Sequence, residues 1–215
     1  METFNKTPLN TVKRIPARGL YDKETIFEIL DAARVGHVGF VVEGRPFVIP
    51  TLYGRKDDIL YLHGATTSRM LQQLEQGIPV CLTVTHEDGL VLARSVFHHS
   101  MNYRSAMVFG TARIVAGEDK MEALRVITER MLPGRWDEAR LPNAKELKAT
   151  TVLALEIETA SAKVRSGPPK DDAEDYGLPV WAGVLPMLRS YGPPETDPDA
   201  LREEEVSESV RRLMG

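Results

Sequence analysis

The stretch SVFHHSMNYRS, residues 95–105, gathers two adjacent histidines, an asparagine, a tyrosine, an arginine and three serines just ahead of the apolar run AMVFG. Such a set could bind a metal, activate a nucleophile, cradle an anion or simply form the polar end of a strand. Adjacent side chains on a strand point to opposite faces, so His98 and His99 cannot reach one ion without a bulge. The remaining histidines, His37, His63 and His86, lack HxH or HExxH spacing, and no dedicated metal site is expected. Ser95, Ser100 and Ser105 lie outside any GxSxG elbow, and nothing marks an acidic partner for a histidine base. Their ordinary role is a backbone hydrogen bond.

An anion site is better supported. TTSRM, residues 66–70, puts hydroxyls and a guanidinium at the first turn of an expected helix, where unpaired N–H groups favour negative charge. Arg69 can bind a phosphate bidentately, and Ser68 can add a hydroxyl. Arg104, flanked by Asn102 and Ser105, supplies a second cationic group at the start of the long strand. The expectation is that these two arginines converge on one phosphate.

The elements that must position these groups read mostly as strands. Asp22 caps a helix whose stripe is Ile26, Phe27, Ile29, Leu30 and Ala33, with Gly36 expected at its C-cap. A three-strand meander follows, turning at Glu43-Gly44 and at residues 55–58. Then come a short helix ending at Gly77, a hairpin expected about Glu87-Asp88-Gly89, and the long strand through AMVFG. An amphipathic helix, EDKMEALRVITERML, closes at Pro133-Gly134, and TTVLALEIETASAKVRSG is expected as one long strand. Short loops, six or seven strands and peripheral helices imply a mainly β (α+β) fold that is a closed or partly closed barrel. Neither GxGxxG nor GxxxxGK occurs, so a dinucleotide-binding doubly wound fold or a P-loop has no support.

Three regions are expected: an extended N-terminal arm over residues 1–20, a barrel domain over 21–167, and a Pro/Gly-rich extension with a terminal helix over 168–215. The extension keeps Trp181, Val184, Leu185, Met187 and Leu188, enough apolar content to dock on something. The chain of 215 residues carries a net charge of −4 and a pI near 5.8, which gives no reason to expect nucleic acid or an anionic membrane. Any anion must therefore be caught locally. Cys81, the single cysteine, excludes an internal disulfide and reads as a small buried hydrophobe in VCLTV. No signal-like segment opens the sequence, and a cytoplasmic location is expected.

Together HVGF, the run from Pro46 to Tyr53, LYLHGATTSRM, VCLTV, DGLVLARSVFHHSMNYRS with its FG ending, PGRW, and AKVRSGPP with PVWAGV resemble one family. It is the flavin-nucleotide-binding branch of the pyridoxamine 5′-phosphate oxidase-like superfamily, which includes the nitroimidazole-resistance proteins. The resemblance spans roughly residues 20–190. It implies a six-stranded antiparallel split β-barrel, a homodimer, and FMN in a groove between subunits, with haem or deazaflavin as alternative ligands. It implies that Pro50, Thr51, Leu52 and Tyr53 pass the isoalloxazine ring and that Ser68 and Arg69 reach the phosphate. By the same resemblance Asn102, Arg104 and Ser105 serve the flavin, Trp181 lies near the ring, and His63 is a site residue. The vitamin B6 oxidases place a lysine where this chain has Met70, and their Arg-x-His substrate contact has no counterpart. The resemblance thus implies an FMN-dependent oxidoreductase acting on an unidentified small molecule, or a flavin or haem carrier without turnover.

Overall fold

The computed structural model describes residues 2–201 and 205–214. The N-terminal arm ends in a two-residue strand, β1 (Gly19–Leu20), followed by α1 (Lys23–Ala32). Asp22 caps α1 as expected, accepting from the Thr25 N–H at 2.8 Å. The helix stops at Ala33, and Gly36 lies inside the next strand rather than at a C-cap. The meander comprises β2 (Val35–Val42), β3 (Arg45–Lys56) and β4 (Ile59–Ala65). Glu43 and Gly44, with φ of 49° and 74°, make the tight left-handed turn that joins β2 to β3.

After β4 come α2 (Arg69–Leu74), β5 (Pro79–Leu92) and β6 (Ser100–Ile114). The expected hairpin at Glu87-Asp88-Gly89 does not form. Glu87 pairs with Tyr103 and Gly89 with Asn102, so Asp88 is the extra residue of a β-bulge inside one continuous strand. The true connection to β6 is Ala93–His99, containing a 3₁₀ turn over Val96–His98. Next are α3 (Asp119–Met131), α4 (Arg135–Glu138) and α5 (Ala144–Ala149). The segment read as one strand is two, β7 (Thr150–Glu156) and β8 (Thr159–Arg165), and the tail adds β9 (Gly183–Pro186) and α6 (Glu208–Met214). Residues 202–204 of the expected terminal helix lie outside the described residues.

Six strands close a ring in the order β6-β7-β4-β3-β2-β5, with β5 pairing back to β6. The split-barrel expectation is met. The break between β7 and β8 lies where β6 changes partner: residues 103–109 pair with β8 and 112–114 with β7. Gly110 sits at that change because a Cβ there would lie 1.9 Å from the Glu156 carbonyl oxygen. Leu60, Leu62, Val80, Leu82, Val84, Ala106, Val108, Leu153 and Leu155 fill the interior beneath α1. AMVFG alternates rather than burying whole: Ala106 and Val108 are core and Met107 is exposed. The arm is tied down, with Phe4 in the core and Asn10 donating to Thr159 Oγ1 and the Ala160 carbonyl.

Candidate functional site

The barrel opens beside β3. Its residues 53–56 pair with β4, but residues 45–52 pair only with β2, while β4 continues along β7 to Ala65. β3 and β4 therefore fork just before Tyr53. Pro50 and Leu52 point outward from the near side of this fork, with Thr51 half-buried between them. Tyr53 does not share their exposure. Its ring is buried and its hydroxyl donates to the Leu30 carbonyl, and that burial pushes the phenol above its ordinary range. His63 lies on β4 at the far side of the fork, with Nδ1 buried and unpartnered. Desolvation lowers its pKa, which keeps the imidazole neutral at pH 7. Ser68 and Arg69 follow at the start of α2, and among the described residues Arg69 forms no ion pair.

The second cationic group does not join them. Arg104 pairs in register with His86 and Val164, ten residues from Ile114, which lies at the end of β6 that pairs with β7, whose other edge carries β4. That is roughly 30 Å of strand at ~3.3 Å per residue, so within one chain Arg69 and Arg104 belong to opposite ends of β6. The Arg104 guanidinium is already engaged, donating to Asp88 at 2.9 and 2.8 Å. This pair raises the pKa of Arg104 and lowers that of Asp88. Within one chain, therefore, the two arginines do not meet.

Strand alternation also divides the polar trio. Asn102 and Arg104 lie on one face, whereas Ser105 lies on the other, beside Thr83 and Met107, where its hydroxyl donates to the Lys163 carbonyl at 3.3 Å. Asn102 is buried, donating to the Gly167 carbonyl at 3.1 Å and accepting from Arg165. Trp181 precedes β9, its exposed indole against Gly183, and β9 is held on the Gly89–Leu92 end of β5. The histidine pair needs correction too. His98 and His99 are not strand residues; they occupy the 3₁₀ turn and its C-cap, and both line one groove.

That groove brings together residues the sequence reading passed over: Arg14 and Arg18 from the arm, Arg165 at the end of β8, and Lys170 beyond it. The signal was present in the basic arm KRIPAR and in VRSGPPK, but only the fold makes them neighbours. A second exposed feature is the outer sheet face, where Val35, Val41, Val48, Leu52 and Met107 are all exposed. Part of it forms an apolar depression of about 430 Å³ between Phe47, Pro46 and Phe109. Cys81 borders this depression and is half-buried rather than core.

This fold has known relatives. A family model described as pyridoxamine 5′-phosphate oxidase matches residues 22–164. The chain belongs to that family. Among similar solved structures is the flavocytochrome Anf3 from Azotobacter vinelandii, with 42% identity and a TM-score of 0.89 over 96% of this chain and 97% of that one. A second is the FAD and heme binding protein from Mycobacterium smegmatis, at 39% identity and TM-score 0.88 over 92% and 98% of the two chains. A putative 5-nitroimidazole antibiotic resistance protein from Bacteroides thetaiotaomicron is 26% identical, with TM-score 0.55 over 68% and 86%. No curated protein matches the chain. Among the described residues no helix is long and apolar enough to cross a membrane.

Proposed function

We propose that this chain is a flavin-nucleotide-binding protein that also carries haem, and that it acts as an oxidoreductase passing electrons through the flavin. The observation that carries this reading is the full-length likeness to a flavocytochrome and to an FAD and heme binding protein, which extends through the tail as well as the barrel. The geometry fits a flavin. The fork offers Pro50, Thr51 and Leu52 as a wall for a flat ring, and Arg69 with Ser68 as unengaged phosphate partners. Tyr53 would contribute backbone only. Arg104 is better read as a structural clasp than as a phosphate ligand, because Asp88 holds it.

A homodimer completes the reading. Val35, Val41, Val48, Leu52 and Met107 leave an apolar sheet face exposed, and pairing it with a second copy would cover it. Ser105 lies on that face and Trp181 on an exposed tail, so both would serve a flavin held by the partner. When bound, the flavin supplies the electron chemistry. The protein supplies orientation, and a neutral His63 beside the fork would lend one hydrogen-bonding nitrogen to the ligand.

The test is the identity of the released ligand. Full-length protein should purify yellow and release FMN or FAD, distinguished by mass. A colourless preparation that takes up neither nucleotide would overturn the reading. Anaerobic mixing with NADH or NADPH then separates an enzyme, whose flavin bleaches, from a carrier, whose flavin does not.

A further inference from the structure

Strand β5 has a gap along the edge opposite β6. Its residues 81–83 pair with β2 and residues 89–92 with β9, and among the described residues 84–87 have no strand partner on that edge. A pocket of about 710 Å³ opens at this gap, within the range of small-ligand sites. His86 and Arg104 line its floor, Arg34 beyond α1 lines one rim, and the segment Leu188–Tyr191 after β9 lines the other. That segment is tied at both ends. The Met187 N–H donates to the Asp88 carbonyl at 3.1 Å, and the Tyr191 ring lies 5.6 Å from the Arg34 guanidinium.

The floor holds a buried acceptor without a donor. His86 is only 7% exposed. The Ala33 N–H turns to the Leu30 carbonyl as α1 ends, which leaves the Ile29 carbonyl open to His86 Nε2 at 2.9 Å. A carbonyl oxygen only accepts, so in the neutral imidazole Nε2 carries the proton and Nδ1 keeps a lone pair. Among the described residues nothing donates to that lone pair. A buried polar atom left unpaired is costly unless a ligand completes it.

The rims hold cations without acids. Arg34 donates through Nε to the Met131 carbonyl at 3.0 Å and, among the described residues, forms no ion pair. Arg189 has neither an ion pair nor a side-chain hydrogen bond among them. Arg104 differs, because Asp88 takes its Nε and Nη2. The two nearby carboxylates, Asp88 and Glu28, both act on Arg104 and leave the rim cations unanswered.

We infer that this pocket binds a small organic hydroxy acid. Its carboxylate meets Arg34 and Arg189, its hydroxyl donates to His86 Nδ1, and Tyr191 and Leu188 lie against its carbon skeleton. The cations line the rims and the acceptor lines the floor, so acid and hydroxyl sit at different ends of the ligand. A phosphate monoester dianion would suit the cations and offer His86 no proton. His86 faces α1, whereas Pro50 and Leu52 point outward, so the hydroxy acid and a flavin at the fork would not compete.

The experiment titrates full-length protein, as purified, with para-hydroxybenzoate, benzoate and inorganic phosphate by calorimetry. Nitrogen NMR of isotope-labelled histidine follows His86 Nδ1 in the same samples. Wild type should bind para-hydroxybenzoate about tenfold more tightly than benzoate, the worth of one hydrogen bond, and the hydroxy acid should shift the Nδ1 resonance. Arg189→Ala should weaken both acids about tenfold, with melting temperature and flavin content unchanged. His86→Phe should erase the preference for the hydroxyl; where that variant folds poorly, the wild-type Nδ1 shift decides. Equal affinity for the two acids, binding of neither, or an Nδ1 resonance that does not move would overturn the proposal. Phosphate bound in place of both acids would overturn it too. So would displacement of the hydroxy acid on saturation with FMN or FAD, which would give the pocket to the nucleotide. Flavin content is read separately, so failure here leaves the flavin reading standing.

Discussion

Arg104 and Arg165 lie on adjacent strands near the same end of the sheet, where Arg104 pairs in register with Val164 and Arg165 with Tyr103. Their surroundings are opposite. Arg104 is held by both oxygens of Asp88, the bulged residue of β5, and its charge is fully answered within the fold. Arg165 is more deeply buried and finds only an amide. A paired guanidinium stiffens a bulge; an unpaired buried one stores a demand for an anion. Arg69 makes a third case, exposed at the fork with no ion partner, free to meet a ligand without a stored demand. Residue type and polar company do not separate these arginines, because all three lie in polar stretches. Their partners do.

The largest expected effect separates Arg69 from Arg104. Arg69→Ala should weaken flavin binding by about 1.5–3 kcal/mol, the worth of a charge-assisted phosphate bond. Arg104→Ala should leave flavin affinity essentially unchanged in the same fluorescence titration. Equal losses in the two variants would break the distinction between clasp and ligand partner.

Stability should invert that order. Arg104→Ala frees Asp88 in the bulge and should lower unfolding stability by about 1 kcal/mol, a modest figure because both side chains are partly solvated. Arg165→Met removes an uncompensated charge and should cost the ligand-free protein less than that, measured by urea denaturation. A larger loss in the Arg165 variant would mean that its charge is already satisfied.

The clasp also predicts an acid response. Asp88 is held below its ordinary value of 3.8 by Arg104, so the folded state resists protonating it. Its contribution is present above pH 3.8 and is lost as pH falls from there through the depressed folded value. Asp88→Asn should remove that part of the acid slope; an unchanged slope would show that the pair does not form in solution.

A fourth and smaller effect belongs to His63. Burial depresses its pKa below 6.5, so the unfolded chain takes up a proton before the folded one does. Stability should therefore decline as pH drops below 6.5, toward the folded value, and His63→Gln should flatten that decline. Bound flavin that partners the imidazole would change this slope, which links the titration to the fork.

Much of the frame was legible because it follows from local patterns. Asp22 with its apolar stripe, the Glu43-Gly44 turn and Gly77 after α2 each carry their structure in a few residues. The failures have a common cause. Asp88-Gly89 reads as a turn, yet long-range pairing with β6 and β9 keeps β5 continuous and makes Asp88 a bulge. The break at Ile157-Glu158 is set by the change of partner at Gly110, not by local composition. Among the site residues, the alternation that was applied to His98 and His99 belonged instead to Arg104 and Ser105. The histidines lie in a turn, and the serine faces away from the arginine. Arg14, Arg18 and Arg165 come from two ends of the chain, so no spacing rule could join them; only the arm lying against β8 does.

The central claim is that this barrel holds a flavin nucleotide, and the most direct measurement is the amount of FMN or FAD bound per chain after saturation and removal of excess. The account predicts close to one flavin per chain in wild type, with affinity markedly reduced by Arg69→Ala and retained by Arg104→Ala. Wild-type protein that is folded yet retains no flavin would contradict it.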